Sequence, residues 1–286
     1  MYKWEGLNNY NICYIEKFFH CDNIEIKDNL SNIISNTSFL KRVLLWKNIK
    51  FLKINNDYAG FIWFSKIEKN KYRINSMRLV SEYDSISNYE ILLSIIKVDS
   101  FITCFCKDSD FEYNILQELG FKKKDTIMEM KKSLSNHLPL QSIQDVSFYR
   151  FTRNKDEKLR CNIQNLVFGD LCRPPISEED ILYEQRQSYY IEEGCIFIKF
   201  KNKTVGYGQI ILDKNKIYIV NFGILKDFRR QGLGEILLSY LLHIAKSLNY
   251  KEVYLKCNLD NTKALNLYLS NGFSKTDLIH EMYKKN

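Results

Sequence analysis

No apolar run in this chain reaches the roughly 18 residues that a membrane-crossing helix needs. The opening Met1-Tyr2-Lys3-Trp4-Glu5-Gly6 carries no apolar export segment. Both absences argue against membrane insertion and secretion, and a cytoplasmic location is the expectation. Proline is scarce, 3 in 286 residues, and the hydrophobic share of 45% with 27% charge is that of a chain that buries a core. Disordered and fibrous classes are thereby set aside, and the length allows one large or two ordinary domains. Histidine is also scarce, with 4 residues and no spacing that suits a metal. The eight cysteines (Cys13, Cys21, Cys104, Cys106, Cys161, Cys172, Cys195 and Cys257) are scattered, so free thiols are expected. Cys104-Phe105-Cys106 would share a strand face but lacks a matching ligand pair, so no metal is expected.

Acidic residues are the minority charge, 34 against 42 basic, which leaves a net charge of +8. The lysines are spread among Asn and Ile, and no nucleic-acid signature stands out. Nucleic acid is therefore not expected as a partner, whereas a small anionic ligand is compatible with the charge.

The stretch with the strongest local order is Lys216–Leu248. Lys216–Phe222 is short and β-branched, which predicts a strand. From Glu235, Leu237, Leu238, Leu241, Leu242, Ala245 and Leu248 recur at helical spacing, which predicts a helix to Leu248. Between them lies Gly223-Ile224-Leu225-Lys226-Asp227-Phe228-Arg229-Arg230-Gln231-Gly232-Leu233-Gly234. The first N–H groups of a helix lack partners within it, and that end carries partial positive charge. Glycines at 232 and 234 leave those groups open to a ligand, and Arg229 and Arg230 add fixed charge. The loop has the makings of a diphosphate cradle, although an ordinary strand-to-helix turn with solvated arginines has the same composition.

Along the rest of the chain the pattern predicts helices over Asn9–His20 and Leu30–Trp46, then a hairpin at Phe51–Phe64. A strand at Tyr72–Leu79, a helix at Tyr89–Val98, a strand at Phe101–Cys106, a helix at Phe111–Leu119 and a strand from Gly120 through Met130 follow. Beyond these come a strand at Ser147–Phe151, a helix at Glu157–Leu166, and a helix from Ser177 to about Tyr190 opened by a cap and three acids. The two halves repeat one another. Phe51-Leu52-Lys53-Ile54 through Gly60-Phe61 lies over Phe197-Ile198-Lys199-Phe200 through Gly206-Tyr207. Gly120-Phe121-x-Lys123-x-Asp125-x-Ile127-x-Glu129-Met130-x-Lys132 lies over Gly272-Phe273-x-Lys275-x-Asp277-x-Ile279-x-Glu281-Met282-x-Lys284. An internal duplication is the reading, with domains over 1–134 and 140–286 and a polar, proline-ended join near Ser133–Pro139. Where the second half has its glycine and arginine loop, the first has Val80–Asn88, with Glu82 and Asp84 and neither residue type; in place of Tyr268 it has Leu116. The first domain is thus expected to hold no diphosphate, and to be either structural or one wall of a substrate cleft.

Arg229-x-x-Gly232-x-Gly234, followed by Asn261-x-x-Ala264-x-x-Leu267-Tyr268 and Gly272-Phe273, resembles the two signatures of the GNAT acyltransferases, the Gcn5-related N-acetyltransferases. The resemblance covers residues 195–286, and more loosely 140–286. It implies an α/β protein of two tandem GNAT-like domains, each a mixed, mostly antiparallel sheet flanked by helices. The arrangement is similar to that of mycothiol synthases, whose C-terminal domain is the active one. It implies acetyl-CoA as acyl donor, no metal, and direct transfer to a primary amine, most simply of a small molecule. A peptide acceptor and a non-catalytic acyl-CoA-binding module are the alternatives. Residue by residue, it assigns the cofactor to Ile224, Arg229, Arg230, Gln231, Gly232, Leu233, Gly234, Glu235 and Asn261. It places the backbone donor to the thioester carbonyl near Ile224, at a strand interrupted over Asn221–Gly223, and the proton donor to the leaving thiolate at Tyr268, which is otherwise a core tyrosine. Arg173, Glu178, Glu179 and Asp180 fall where the family covers its acceptor, although a capped, solvated helix end would look the same. Cys257 is read as packing, as are Tyr183, Tyr189 and Tyr190. No general base stands out: Asp213, Asp227 and His243 are near in sequence without a compelling position.

Overall fold

The computed structural model describes residues 1–8, 10–11, 13–14, 47–108, 110–134, 144–169 and 174–286. The helices expected over Asn9–His20 and Leu30–Trp46, most of the join at 133–139, and Arg173 lie largely or wholly outside these residues. The chain divides into two compact units, Met1–Thr126 with Leu278–Asn286, and Ile127–Asp277.

The first unit is built on β1 (Tyr2–Gly6), β2 (Ile49–Ile54), β3 (Asp57–Glu68), β4 (Lys71–Leu79) and β5 (Phe101–Lys107), with helices α1 (Ile86–Leu93) and α2 (Phe111–Glu118). Strands β1 to β4 run antiparallel, β4 and β5 pair in parallel, and the C-terminal strand β12 (Ser274–Lys285) adds to β5 in antiparallel register. The second unit has β7 (Val146–Arg150), α3 (Glu157–Phe168), α4 (Glu178–Glu184), β8 (Tyr190–Phe200), β9 (Lys203–Asp213), β10 (Lys216–Ile224), α5 (Leu233–Ser247), β11 (Glu252–Asn258) and α6 (Thr262–Ser270). Its strands β7 to β10 are antiparallel, β10 and β11 parallel, and β6 (Lys122–Ser133) closes it antiparallel to β11.

The order of pairing is thus the same in both units, as a duplication requires, but the closing strands are exchanged. Strand β6, the last of the first repeat, completes the second unit through Ile127–Ser133, and β12 completes the first. The compact units therefore do not follow chain order at 134–140. Met130 is fully buried in the second core and Met282 in the first. Each such burial is worth roughly 1.5–3 kcal/mol, which holds the exchanged strands in place. His280 of β12 is buried, with Nδ1 2.9 Å from Thr126 Oγ1 and Nε2 against Asp108.

The duplication reaches single hydrogen bonds. Val80 N donates to Ala59 O at 2.9 Å, and Leu225 N to Val205 O at 2.8 Å. A Cβ on Gly60 would lie 2.4 Å from Arg78 O, and one on Gly206 2.6 Å from Gly223 O, so each glycine allows the next strand to approach. The helix expected from Ser177 to Tyr190 is shorter than the sequence suggests. It ends at Glu184, and Tyr190 opens β8, whose register with β9 draws the chain into a strand.

Candidate active site

Strand β10 changes direction where the loop begins. Its register with β9 shifts between Val220 and Gly223, and Asn221 takes φ 50°, the left-handed conformation that asparagine tolerates better than most residues. The bulge expected here is therefore turned by Asn221. Gly223 serves a different need, because a Cβ there would lie 2.2 Å from Val167 Cγ1 on α3. The parallel register with β11 covers only Tyr218–Tyr254 and Ile219–Leu255, so β10 leaves its neighbour as it enters the bulge. Alternate residues of a strand point their N–H groups to opposite edges. Leu225 N is bonded to Val205 O on β9 at 2.8 Å, so the Ile224 N–H faces the edge that β11 has left.

Helix α5 is preceded by Gly232 at the N-cap position, with φ 75° and no side-chain cap. In the first unit, by contrast, Ser85 caps α1 and accepts from Asn88 N at 3.4 Å. The open N-terminus of α5 and its dipole form an anion site. Gly234 is spaced so that a Cβ would only touch Leu267 and Ile224, at 3.6 and 3.9 Å. Arg230 and Gln231 are exposed beside it, and Leu233 is buried as the anchor of the first turn. Arg229 does something the sequence did not suggest. Its Nε donates to Ile224 O at 2.8 Å and its Nη2 to Val167 O at 3.2 Å. It thus ties the end of β10 to the carbonyl end of α3, where a cation is favoured.

Asn261 caps α6, its side chain accepting from Ala264 N at 3.2 Å. Tyr268 lies on the buried face of that helix, its ring centroid 6.1 Å from Phe222 and 5.9 Å from Phe273. Burial, with a smaller contribution from Cys257, pushes its phenol well above the ordinary tyrosine range. Cys257 is itself pushed up to about 11 by burial, so it is a neutral thiol at physiological pH and suits the packing role. Cys104 and Cys106 are buried thiols also raised by burial, Cys106 to about 12. Among the described residues, no group of three His, Cys, Asp or Glu side chains is placed to hold a metal ion.

The acids at the start of α4 stay at the surface. Asp180 closes a capping box with Ser177, and Glu178 and Glu179 are exposed. His243 turns its Nδ1 to Ser239 O at 3.1 Å within α5. What the sequence missed is a polar network beneath the bulge. Arg160, 1% exposed, donates through Nε to Gln164 Oε1 at 2.9 Å and through Nη2 to Gln209 Oε1 at 2.9 Å and to Glu184. Gln209 Nε2 donates to Glu184 Oε1 at 3.0 Å, and Asn221 Nδ2 donates to Gln209 Oε1 at 3.2 Å. The guanidinium also lies 5.0 Å from the Tyr207 ring and 5.9 Å from that of Phe151. Helical spacing marked Arg160 only as one polar residue among several on α3. A pattern of one sequence does not show that its partners sit on α4, β9 and β10.

Removing the cation from this network should be costly. Arg160→Leu is expected to lower stability by about 3 kcal/mol, because Glu184 would lose its buried cation and Glu184 and Gln209 would each lose one of their donors. Urea unfolding at constant m-value measures it, and Glu184→Leu added to Arg160→Leu should restore part of the loss.

Residues 165–273 match the model of the Acetyltransferase (GNAT) family, so the second unit carries a GNAT acetyltransferase domain. An N-alpha-acetyltransferase of Sulfurisphaera tokodaii is 33% identical over 69 residues, 24% of this chain and 41% of that protein. The chain spans less than half the length of the curated relatives it matches. Among solved structures, a GCN5-related N-acetyltransferase from Sphaerobacter thermophilus superposes with a TM-score of 0.74 at 13% identity, covering 99% of this chain and 95% of that one. A tandem GNAT protein from the clavulanic acid biosynthesis pathway gives 0.65 at 9% identity, covering 99% and 98%. At these identities the likeness is one of fold, and the fold is the tandem mixed α/β arrangement.

Proposed function

We propose that the second unit takes acetyl-CoA and transfers its acetyl group directly to a primary amine of a small molecule. The observation that carries this is the pairing of an uncapped α5 N-terminus at Gly232 with an Ile224 N–H turned to the edge that β11 has left. The first fits a diphosphate and the second fits an oxygen that gains negative charge during acyl transfer.

In this reading the N–H groups from Arg230 to Glu235 hold the diphosphate, with Arg230 and Gln231 beside them. Arg229 acts through the backbone, fixing the peptide that follows Ile224. The Ile224 N–H polarises the thioester carbonyl. The amine nitrogen then bonds to the carbonyl carbon, the carbon–sulfur bond breaks, and the amine's surplus proton leaves to water. Tyr268 donates a hydrogen bond to the departing sulfur. Asn261 caps α6 and so sets the position of Tyr268. The first unit plays no part in holding the cofactor, since Ser85 caps α1 where the second unit leaves α5 open.

The relatives' names support a second acceptor, the α-amine at the start of a peptide chain. A titration of the full chain with acetyl-CoA tests the cofactor half. One site per chain is the expected result, and no binding would end the proposal. Turnover of a panel of small amines against a panel of peptide N-termini then decides the acceptor class.

A further inference from the structure

We propose that Glu184 is the anchoring carboxylate for a cationic group of the acceptor, in a site flanked by exposed tyrosine rings. This rests on the acyl-transfer reading above and specifies the acceptor as an organic ammonium compound.

Glu184 closes α4, a helix with no basic residue in its last turn. A carboxylate at the negative end of a helix is in an unfavourable place. The protein holds it there with two donors from below, Arg160 Nη2 on Oε2 and Gln209 Nε2 on Oε1 at 3.0 Å. Those partners are sealed, Arg160 1% exposed and Gln209 0%, whereas the Glu184 side chain is 18% exposed. Of the three groups joined at this carboxylate, Glu184 is thus the one that reaches solvent. Each carboxylate oxygen accepts more than one hydrogen bond, so both keep capacity after these contacts. Tyr183 is 62% exposed and Tyr189 37%, and the Glu184 charge and the Tyr183 phenol both add to the burial that raises the Tyr189 phenol, so Tyr189 lies near each of them. The sequence suggests packing for these rings, but their exposure leaves them available. A carboxylate near an exposed aromatic side chain suits an alkylammonium group, which gains from both.

The site also reports to the reaction centre. Gln209 spends its amide N–H on Glu184, which fixes its oxygen toward Asn221 Nδ2 at 3.2 Å, and Asn221 is the residue that turns the bulge. A cation on Glu184 is thus connected, through one glutamine, to the strand that carries the Ile224 N–H.

The test measures binding by calorimetry on the full chain without acetyl-CoA, using phenethylamine, an ammonium at pH 7, and its uncharged counterpart 2-phenylethanol. The ammonium is expected to bind about 10-fold more tightly, in keeping with one charge-assisted contact. Glu184→Gln should erase the difference. Tyr189→Ala, at an exposed ring, should weaken the ammonium by roughly 3-fold. Equal binding of the two probes by the native chain overturns the proposal, as does an undiminished preference in Glu184→Gln. If Glu184→Gln loses its fold, the native comparison and Tyr189→Ala decide it. Because no acyl donor is present, failure here is separable from failure of the acetyl-CoA titration.

Discussion

Gly232→Glu is expected to weaken acetyl-CoA binding by about 100-fold while leaving the chain folded. Gly232 sits at φ 75° as the N-cap residue of α5, which no side chain caps, beside the N–H groups assigned to the diphosphate. A side chain there starts at the mouth of the cradle. A carboxylate about 4 Å from a phosphate oxygen is repelled by up to about 4 kcal/mol at the effective dielectric of a protein surface. Solvent at this exposed loop takes up part of that, and about 2.7 kcal/mol remains as a 100-fold loss. Backbone strain separately costs the folded chain about 1–2 kcal/mol of stability, because a residue with a Cβ is disfavoured in the left-handed region. Gly232→Asn separates the two effects, since asparagine adopts that conformation readily and brings no charge. Calorimetric titration of both variants, with thermal melts as the control for folding, should show a large loss for glutamate and a loss of a few fold for asparagine. Equal, small losses would remove the loop from the cofactor site.

The strand, loop and helix were legible in the sequence because their pattern is local. Strand, glycines, helix stripe and the spacing to Tyr268 all lie within one stretch, and period and capping rules apply directly to it. The duplication was legible for a similar reason, down to Gly60 over Gly206 and Gly120 over Gly272. The exchange of β6 and β12 was not. Ile127-Met128-Glu129-Met130 and Ile279-His280-Glu281-Met282 carry the same alternation, so each fits the face that either sheet offers. Alternation fixes which side chains point inward and says nothing about which neighbour the strand chooses.

The network under the bulge was hidden for the opposite reason. Its members, Arg160, Glu184, Gln209 and Asn221, are ordinary polar residues on four separate elements, and their meaning lies in a convergence that only the fold supplies. Arg229 shows the same limit in a smaller way. The motif marks it as a phosphate ligand, and the fold also gives it a second task, since two of its guanidinium donors reach the carbonyls of Ile224 and Val167. A motif records which residue type recurs at a position, and the reason for the residue can be a clamp on the backbone as well as contact with a ligand.

Tyr268→Phe should reduce kcat by about 10²–10³-fold and leave acetyl-CoA affinity almost unchanged. The ring would keep its packing against Phe222 and Phe273, so only the hydroxyl is lost, and the structural cost is small. The range is that of general acid catalysis at a positioned group. The pH dependence distinguishes a proton donor from a bystander. An unperturbed phenol titrates near 10 and a thiol near 8.5, so an ordinary tyrosine would pass a proton to sulfur with little penalty. Burial raises Tyr268 above that range, which makes it a weaker acid but keeps it protonated throughout the working range. In the proposed mechanism its contribution is then a hydrogen bond to the developing thiolate, and coenzyme A departs as the thiolate. The sign follows from the raised value: kcat should not fall through ionisation of Tyr268 up to pH 10, and the folded state should lose stability only above that, where the unfolded chain ionises its tyrosine and the folded chain does not. A native kcat that declines with an apparent pKa near 9 and becomes flat in Tyr268→Phe would contradict this account. An unchanged kcat in Tyr268→Phe would return Tyr268 to the core, and the leaving sulfur would take its proton from water.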